Sequence, residues 1–317
     1  MNRKQLRQFY AFVPWGKADD CPCCSGYKYG RCCGIKGGWP SVDIPPFLPK
    51  PKQNGTSHDD CYLASFGDCG GTISREHYVS ESILEVIGEL EVGGLPWVEK
   101  GKTVRLPTNA LAVNVLCQDH NSAYHTLDDL GLRNFLNLKN ATTEIIKFSI
   151  SSKVSHTLMS GSAMEFWGLK CLMGMYYGKV ASEERQRLRE IRAMDIDLLR
   201  DIMTTRKFPP NCGLYVRTRP AMPQTDLGIG PISTETKVVG IRIRWFYVEF
   251  EIIFDPTGVN FDAVRMEAEF RPRMLRLECQ SRKTYIVMTY LEPTDPVQFI
   301  TSGRQVIATV PPQMVVG

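Results

Sequence analysis

Residues 61–80 read CYLASFGDCGGTISREHYVS, and residues 116–129 read LCQDHNSAYHTLDD. Cys61, Cys69 and Cys117 supply three thiols in these two segments. His120 adds an imidazole, and thiolates with imidazoles are the ligands that tetrahedral zinc prefers. Two residues separate Cys117 from His120, as in a zinc knuckle, but seven separate Cys61 from Cys69, which is wider than usual. The two segments together predict one structural zinc site.

Further polar residues lie close to these ligands in the sequence. His77 follows Glu76 in a short segment that resembles a strand. Asn121 and His125 are four residues apart in a predicted helix, so both project from one face. The aspartates at 128–129 could share that face, although a surface or capping role is favoured over metal binding. These polar residues distinguish the segment from a purely structural zinc site.

The segment from about residue 58 to 140 resembles the HNH endonucleases, which have a ββα-metal, treble-clef core. The resemblance is carried by Glu76-His77, Cys117-x2-His120-Asn121 and His125. It implies that His77 is the general base that takes a proton from the water attacking a phosphodiester, a role that suits imidazole. It also implies that Glu76 and His125 bind a catalytic Mg²⁺ or Mn²⁺ ion, which stabilises charge on the phosphorane and the leaving oxygen. Asn121 either orients His77 or helps to hold that ion.

The sequence departs from the HNH pattern at three points. His120 stands where the family usually has the fourth cysteine, and the pair Cys61–Cys69 is spread out. An asparagine often stands five residues before the knuckle cysteine, but this position is Ala112 here. The central asparagine of the motif is therefore either Asn114 or Asn121.

A second cysteine cluster, CPCCSGYKYGRCC, spans residues 21–33. Two close pairs of thiols predict another structural zinc site, with the ligands Cys21, Cys23, Cys32 and Cys33. Cys24 is left over, which leaves open which cysteine at that end binds. The spacing resembles the SEC-C motif, a small zinc module, and this resemblance implies docking to protein or nucleic acid.

Composition and charge are those of a globular protein. We expect a cytoplasmic location, because the sequence shows no membrane span and no signal peptide. The chain has 317 residues and 11 cysteines, and it lacks the run of ~18 apolar residues that a membrane span needs. Residues 1–20 contain no apolar segment of the signal-peptide kind. Because the cytoplasm keeps thiols reduced, clustered cysteines favour metal binding over disulfides. The net charge is only +4, but residues 61–150 contain 11 acidic and 7 basic residues, so the flanks carry the basic excess that phosphate contacts need.

The remaining patterns divide the second half of the chain. Apolar periodicity predicts helices over 82–91, 120–138, 162–178 and 182–207. From residue 208 the pattern becomes typical of strands, including 263–270, 274–279 and 284–291. The apolar parity switches within 241–254, which indicates a bulge or a strand that faces both ways. Five arginines could form one basic face, although the solvated side of a sheet is favoured: Arg242, Arg244, Arg271, Arg273 and Arg276.

The sequence thus predicts an α+β fold in five parts. They are a zinc motif (1–35), a Pro/Gly-rich linker (36–60), an HNH-like ββα-metal core (61–140), a helical segment (141–209) and a mainly antiparallel β domain (210–317). The expected function is metal-dependent endonuclease activity on nucleic acid, with DNA favoured, two structural zinc ions and a role in defence against foreign DNA. Two alternatives are a non-catalytic, zinc-stabilised nucleic-acid-binding or adaptor protein, and a chain that recruits protein partners through the SEC-C motif and the β domain.

Overall fold

The computed structural model describes most of the chain between residues 56 and 291. The described residues are 16–19, 21, 27–32, 34, 56–88, 90–93, 95, 98–99, 102–146, 154–178, 182–183, 186–218, 227–246, 248–279, 282–291 and 306–307. Most of the predicted linker and the cysteines Cys23, Cys24 and Cys33 lie outside them.

Seven α-helices lie within the described ranges. They are α1 (Glu81–Ile87), α2 (Gln118–Ala123), α3 (His125–Ile146), α4 (Gly161–Tyr177), α5 (Leu188–Ile191), α6 (Ile196–Thr205) and α7 (Phe261–Glu267). The helices predicted over 82–91, 120–138 and 162–178 correspond to α1, to α2 with α3, and to α4. No helix in these ranges combines the length and the apolar character that crossing a membrane requires.

The strands form two larger sheets and three two-stranded pairs. They are β1 (Ile73–His77), β2 (Leu90–Gly93), β3 (Thr103–Leu106), β4 (Ala112–Cys117), β5 (Val154–Ser160), β6 (Ser182–Glu183), β7 (Gln186–Arg187), β8 (Ala193–Met194), β9 (Gly213–Thr218), β10 (Gly228–Ser233), β11 (Lys237–Trp245), β12 (Val248–Ile253), β13 (Glu269–Phe270), β14 (Met274–Cys279), β15 (Arg282–Thr289) and β16 (Val306–Ile307). The six-stranded sheet has the order β10-β11-β12-β9-β13, with β8 parallel to β11. The four-stranded sheet has the order β16-β14-β15-β5, and the pairs are β1-β4, β2-β3 and β6-β7. The fold is therefore mixed α+β, as predicted.

β1, β4 and the two helices that follow β4 form a strand–strand–helix unit. The two strands are antiparallel, with Ile73 opposite Cys117 and His77 opposite Ala112. At ~3.3 Å per residue, His77 and Cys117 lie ~13 Å apart along the ladder. The unit therefore places the knuckle cysteine at one end and His77 at the other.

The helix α4 is buried along almost its whole length. The Ser160 side chain caps its N-terminus by accepting a hydrogen bond from a backbone N–H of the first turn at 3.0 Å. Gly168 lets the helix approach the six-stranded sheet closely, because a Cβ there would lie 2.3 Å from Cδ1 of Ile252. A helix enclosed on all sides needs apolar residues on all sides, which explains the composition of 162–178.

One hydrophobic core extends from Cys61 to Tyr290. It includes residues of the predicted HNH-like core, helical segment and β domain alike. The strand β5 precedes α4 in the chain, yet it pairs in parallel with β15 near the end of the described residues. The boundaries predicted at residues 140 and 209 therefore do not separate independent cores within the part of the chain that the structure describes.

Three predictions for the second half differ from the structure. The segment 182–207 is not one helix. Within it, the strand β8 pairs with β11, and a new helix, α6, begins after Asp195, whose side chain caps its N-terminus. The segment 263–270, predicted as a strand, is mostly the helix α7. The parity switch within 241–254 is a hairpin between β11 and β12, which turns next to Phe246 with a φ of 54°.

Two of the arginines considered as one basic face have different surroundings. Nη2 of Arg242 lies 2.8 Å from Oε1 of Glu251, across neighbouring strands of the six-stranded sheet. Arg271 is buried instead, and its Nε lies 2.7 Å from Oε1 of Glu165 in α4. These two guanidinium groups therefore do not share one open basic surface.

Candidate functional site

Three buried thiols and a buried imidazole converge where β4 meets α2. They belong to Cys61, Cys69, Cys117 and His120, and their ligand atoms all lie within 4.8 Å of one another. Nδ1 of His120 is 3.4, 3.8 and 3.1 Å from the sulfurs of these cysteines in that order. In a tetrahedral site with Zn–S of ~2.3 Å and Zn–N of ~2.0 Å, sulfur and nitrogen are ~3.5 Å apart. The cluster can therefore hold a metal ion such as zinc, and the predicted ligands are brought together.

The loop between the first two cysteines is folded so that both thiols reach the cluster. The backbone N–H of Tyr62 donates to the oxygen of Val115 at 3.0 Å, which ties the loop to β4. A 3-10 turn at Ala64–Phe66 shortens the seven-residue gap, and Gly67 ends it with a φ of 67°. Glycine accepts this left-handed conformation without strain. The wide spacing is therefore compatible with a shared site.

A buried carboxylate orients the imidazole of His120. Its Nε2 lies 2.8 Å from Oδ1 of Asp68, and the side chain of Asp68 is only 1% exposed. The contact fixes Nδ1 as the nitrogen that faces the thiols and increases its basicity as a ligand. Sequence analysis missed Asp68, because nothing in its spacing indicates contact with an imidazole 52 residues away.

The thiols of this cluster need a cation to ionise. Burial raises the pKa of Cys61 to about 12, and burial also raises the pKa of Cys69. Metal ligation requires the thiolate form, so a bound ion would displace protons from both side chains.

The N-terminal cysteine cluster is described only in part. Cys21 and Cys32 are both buried and pack with Tyr27 and Tyr29. The N–H of Cys21 donates to the oxygen of Tyr27 at 2.9 Å, and that of Cys32 donates to Tyr29 at 3.1 Å. The other ligands expected there, Cys23 and Cys33, lie outside the described residues, so this zinc site stays a prediction.

A buried ammonium, a buried carboxylate and a half-buried carboxylate meet beside β1, and we call Lys170, Glu76 and Asp128 the Lys170 cluster. Lys170 of α4 contacts Glu76 of β1, and its Nζ lies 2.7 Å from Oδ1 of Asp128 in α3. Nζ also donates to the backbone oxygen of His77 at 3.1 Å. Burial lowers the pKa of Lys170, but the charges of Asp128 and Glu76 outweigh it and raise the pKa above its ordinary value. Burial raises the pKa of Glu76 to about 7, although Lys170 opposes the shift.

Neutral side chains enclose the Lys170 cluster. The hydroxyl of Ser80 donates to Asp128, and Nε1 of Trp167 donates to the Ser80 oxygen at 2.8 Å. Tyr62 and Tyr124 lie near the glutamate of the cluster, and burial raises the pKa of both hydroxyls. The cluster is therefore a connected polar network inside the shared core.

The side chain of His77 lies on the opposite face of β1 from Glu76, because successive strand residues alternate. It is 17% exposed, and its Nδ1 lies 3.9 Å from Oε2 of Glu81. Its Nε2 is buried and has no hydrogen-bond partner among the residues that the structure describes. Burial lowers the pKa of His77, with Glu81 opposing the shift and Lys170 adding to it. The imidazole is thus kept in its neutral, basic form at neutral pH.

Asn121 contacts β1, whereas His125 faces solvent. Nδ2 of Asn121 donates to Oγ of Ser74 at 3.0 Å and to the backbone oxygen of Arg75 at 3.3 Å. The pairing of β1 with β4 shifts register between these two residues, so Asn121 secures the irregular point of the strand. The side chain of His125 is 80% exposed, and its Nε2 lies 3.7 Å from Oδ2 of Asp129.

The position of Glu76 differs from its expected role as a ligand of a catalytic ion. Its carboxylate is buried and already contacts the ammonium of Lys170, while His125 is exposed. A carboxylate enclosed with its own cation is not available to share an ion with a solvated imidazole. Of the two possible motif asparagines, Asn114 is exposed on β4, and Asn121 contacts the strand that carries His77.

Sequence analysis did not single out Lys170, although a signal was present. Glu165 and Lys170 are the only charged residues in the apolar segment 162–178. A charge in a buried helix needs a partner, so this composition indicates an internal ion pair. The partner could not be predicted from the sequence, because Lys170 donates a hydrogen bond to the backbone of a residue 93 positions earlier.

The raised pKa of Glu76 predicts that stability depends on pH. An unfolded glutamate has a pKa of ~4.3, whereas burial raises the pKa of Glu76 to about 7 in the folded chain. Between these values the folded state binds a proton that the unfolded state releases, so stability falls as pH rises from ~4.5 to ~7. The free energy of unfolding, measured by urea unfolding, should fall between pH 5 and pH 8. We expect Glu76→Gln to remove ~3 kcal/mol of this fall.

Glu85→Gln is the matched control, because Glu85 is exposed on α1. This variant should retain the pH dependence of the natural chain. An equal dependence in the Glu76→Gln variant would contradict the assignment of the titration to Glu76.

Comparison with protein-family models, with curated proteins and with solved structures found no match to this chain.

Proposed function

We propose that the chain is a metal-dependent endonuclease of the HNH type that hydrolyses phosphodiester bonds, with DNA as its substrate. The observation that supports this most directly is the setting of His77. It ends a strand in a strand–strand–helix unit whose other end carries the Cys3His cluster, and its buried Nε2 has no hydrogen-bond partner among the described side chains and backbone. This nitrogen is not engaged by another group of the described residues, so it would be able to accept a proton from a water that reaches it.

His77 would act by accepting a proton from the attacking water. Its pKa is lowered by burial, so the neutral imidazole predominates at neutral pH. The carboxylate of Glu81, 3.9 Å from Nδ1, would stabilise the imidazolium that forms when the proton is taken. Asn121 would keep the strand in place through its bonds to Ser74 and Arg75.

A catalytic Mg²⁺ or Mn²⁺ ion would have few ligands from the protein. Apart from the Cys3His cluster, no group of three or more close ligand side chains occurs in the described part of the chain. His125 and Asp129 are the exposed donors at the start of α3, and this small set fits Mg²⁺, which keeps waters and binds substrate phosphates. When bound, the ion would stabilise negative charge on the phosphorane and the leaving oxygen.

Replacing the proposed base tests this function. The natural chain should nick supercoiled plasmid in the presence of Mg²⁺ or Mn²⁺, and His77→Ala should lower the rate by ~10²–10⁴-fold because general-base catalysis is lost. Nicking is measured by gel electrophoresis at pH 7.5. The matched control is His156→Ala, since His156 stacks on Tyr285 in the four-stranded sheet. Equal nicking by the His77→Ala and control variants would exclude this mechanism.

The arrangement of Glu76 favours a second function, a zinc-stabilised protein that binds nucleic acid without cutting it. The carboxylate that HNH enzymes would use for the ion is paired with Lys170. DNA binding that weakens with salt, with no cleavage under Mg²⁺ or Mn²⁺, would support this alternative. A nuclease of the first kind would fit a cytoplasmic role in defence against foreign DNA, with the SEC-C-like cluster as a docking element for protein or nucleic acid.

A further inference from the structure

Lys170 joins three separate elements through one buried ammonium. It lies in the middle of α4 and is 1% exposed. Its Nζ contacts Glu76, donates to the backbone oxygen of His77 at 3.1 Å and lies 2.7 Å from Asp128. Two of these contacts are on β1 and the third is on α3. A single side chain thereby ties the end of β1 to the first turn of α3.

Packing alone does not explain a lysine at this position. The neighbouring residues of α4 are apolar and fully buried, and taking an ammonium out of water is unfavourable. An apolar side chain of similar volume would fill the space without that cost. One of the contacts is to the backbone of His77 itself, which is the proposed base. The lysine therefore directly contacts the backbone of that residue.

We propose that Lys170 is a positioning residue that holds His77 against the start of α3. This inference rests on the proposed nuclease function. Asp128 lies three residues after His125, so the contact with Lys170 brings the turn bearing the proposed ion ligand to the end of β1. Glu76 then acts through Lys170, as the counter-charge that keeps the ammonium in place.

A second contact from α4 supports the same arrangement. Trp167 lies one turn before Lys170 and donates to Ser80, whose hydroxyl donates to Asp128. Ser80 follows His77 by three residues. Both residues of α4 therefore connect the chain around His77 with the same aspartate of α3.

Two variants of the full-length chain test the proposal. Lys170→Met removes the ammonium but leaves the buried carboxylate of Glu76 and the half-buried one of Asp128 without a counter-charge, so it tests folding as well as position. The triple variant Glu76→Gln, Asp128→Asn, Lys170→Met removes all three charges and leaves no unpaired buried ion. Lys207→Met is the control, because Lys207 is exposed after α6.

The measurements separate positioning from folding. The triple variant should retain the zinc content and the far-ultraviolet circular dichroism of the natural chain. Its kcat for plasmid nicking should fall ~100-fold with little change in KM, since small displacements of a catalytic group have effects of this size. The imidazole NMR signals of His77, assigned by comparison with His77→Ala, should shift in the triple variant and not in Lys207→Met.

The outcomes for the two proposals can be told apart. Nicking by the triple variant at the natural rate, with unshifted His77 signals, would overturn the positioning role. If the natural chain does not nick DNA, the nuclease proposal fails, while the His77 signals still report whether Lys170 sets the position of that imidazole. A shift in those signals would then support the structural part of the inference without the reaction.

Discussion

Replacing Cys117 with serine should remove one zinc ion per chain and greatly destabilise the fold. Cys117 is the ligand closest to Nδ1 of His120, and it joins β4 to α2. Zinc binding by such sites is worth ~10–16 kcal/mol in small zinc domains, so the loss here should exceed ~5 kcal/mol. At ~2–4 °C per kcal/mol, the unfolding midpoint should fall by at least ~10 °C. Metal content by mass spectrometry and thermal unfolding by circular dichroism measure the two effects.

Cys212→Ser provides the control for this experiment. Cys212 is as buried as the ligands but lies in a separate apolar cluster with Tyr215 and Ile253. Its replacement should lower stability by ~1–3 kcal/mol and leave the zinc content unchanged. If Cys117→Ser retained all of its zinc, the assignment of the cluster as a metal site would be wrong.

Arg271→Ala should have the second-largest effect on stability. Nε of Arg271 lies 2.7 Å from Oε1 of Glu165, and both side chains are buried. The same oxygen accepts a hydrogen bond from the backbone N–H of Leu214 at 2.9 Å. Removing the guanidinium leaves the carboxylate of Glu165 buried without its counter-charge, which typically costs ~3–5 kcal/mol. Urea unfolding at pH 7 measures the loss.

Two further variants isolate the ion pair. The double variant Glu165→Gln, Arg271→Met should recover part of the stability, because it leaves no unpaired buried charge. Arg265→Ala should change stability by less than ~1 kcal/mol, since Arg265 is exposed on α7. Equal losses for Arg271→Ala and Arg265→Ala would contradict a structural role for the buried pair.

The metal cluster could be predicted from sequence because its chemistry depends on residue types. Cys61, Cys69, Cys117 and His120 are the kinds of side chain that bind zinc, whatever path the chain takes between them. The helix over the apolar segment 162–178 was also predicted correctly, since such a run admits few alternatives to a buried helix. The helix depends on a local pattern of residues. The metal cluster requires only that ligands distant in sequence come together.

The rest of the site could not be predicted because it depends on partners remote in sequence. Glu76 was expected to bind a metal ion, and only the fold reveals Lys170 as its neighbour. The segment 182–207 has a continuous charge pattern, yet pairing of β8 with β11 overrides helix formation in part of it. In the sequence, Arg271 cannot be distinguished from a surface arginine. Only the fold shows that it is buried against Glu165.

The distance in sequence between His77 and Lys170 also has a consequence for the order of events during synthesis. His77 emerges from the ribosome 93 residues before Lys170, the residue that binds its backbone oxygen. At ~5–20 residues per second, this interval lasts ~5–20 seconds. During that time the growing chain contains the proposed base without the residue that would position it. If the chain is a nuclease, its proposed base would reach its full activity only after α4 has been made.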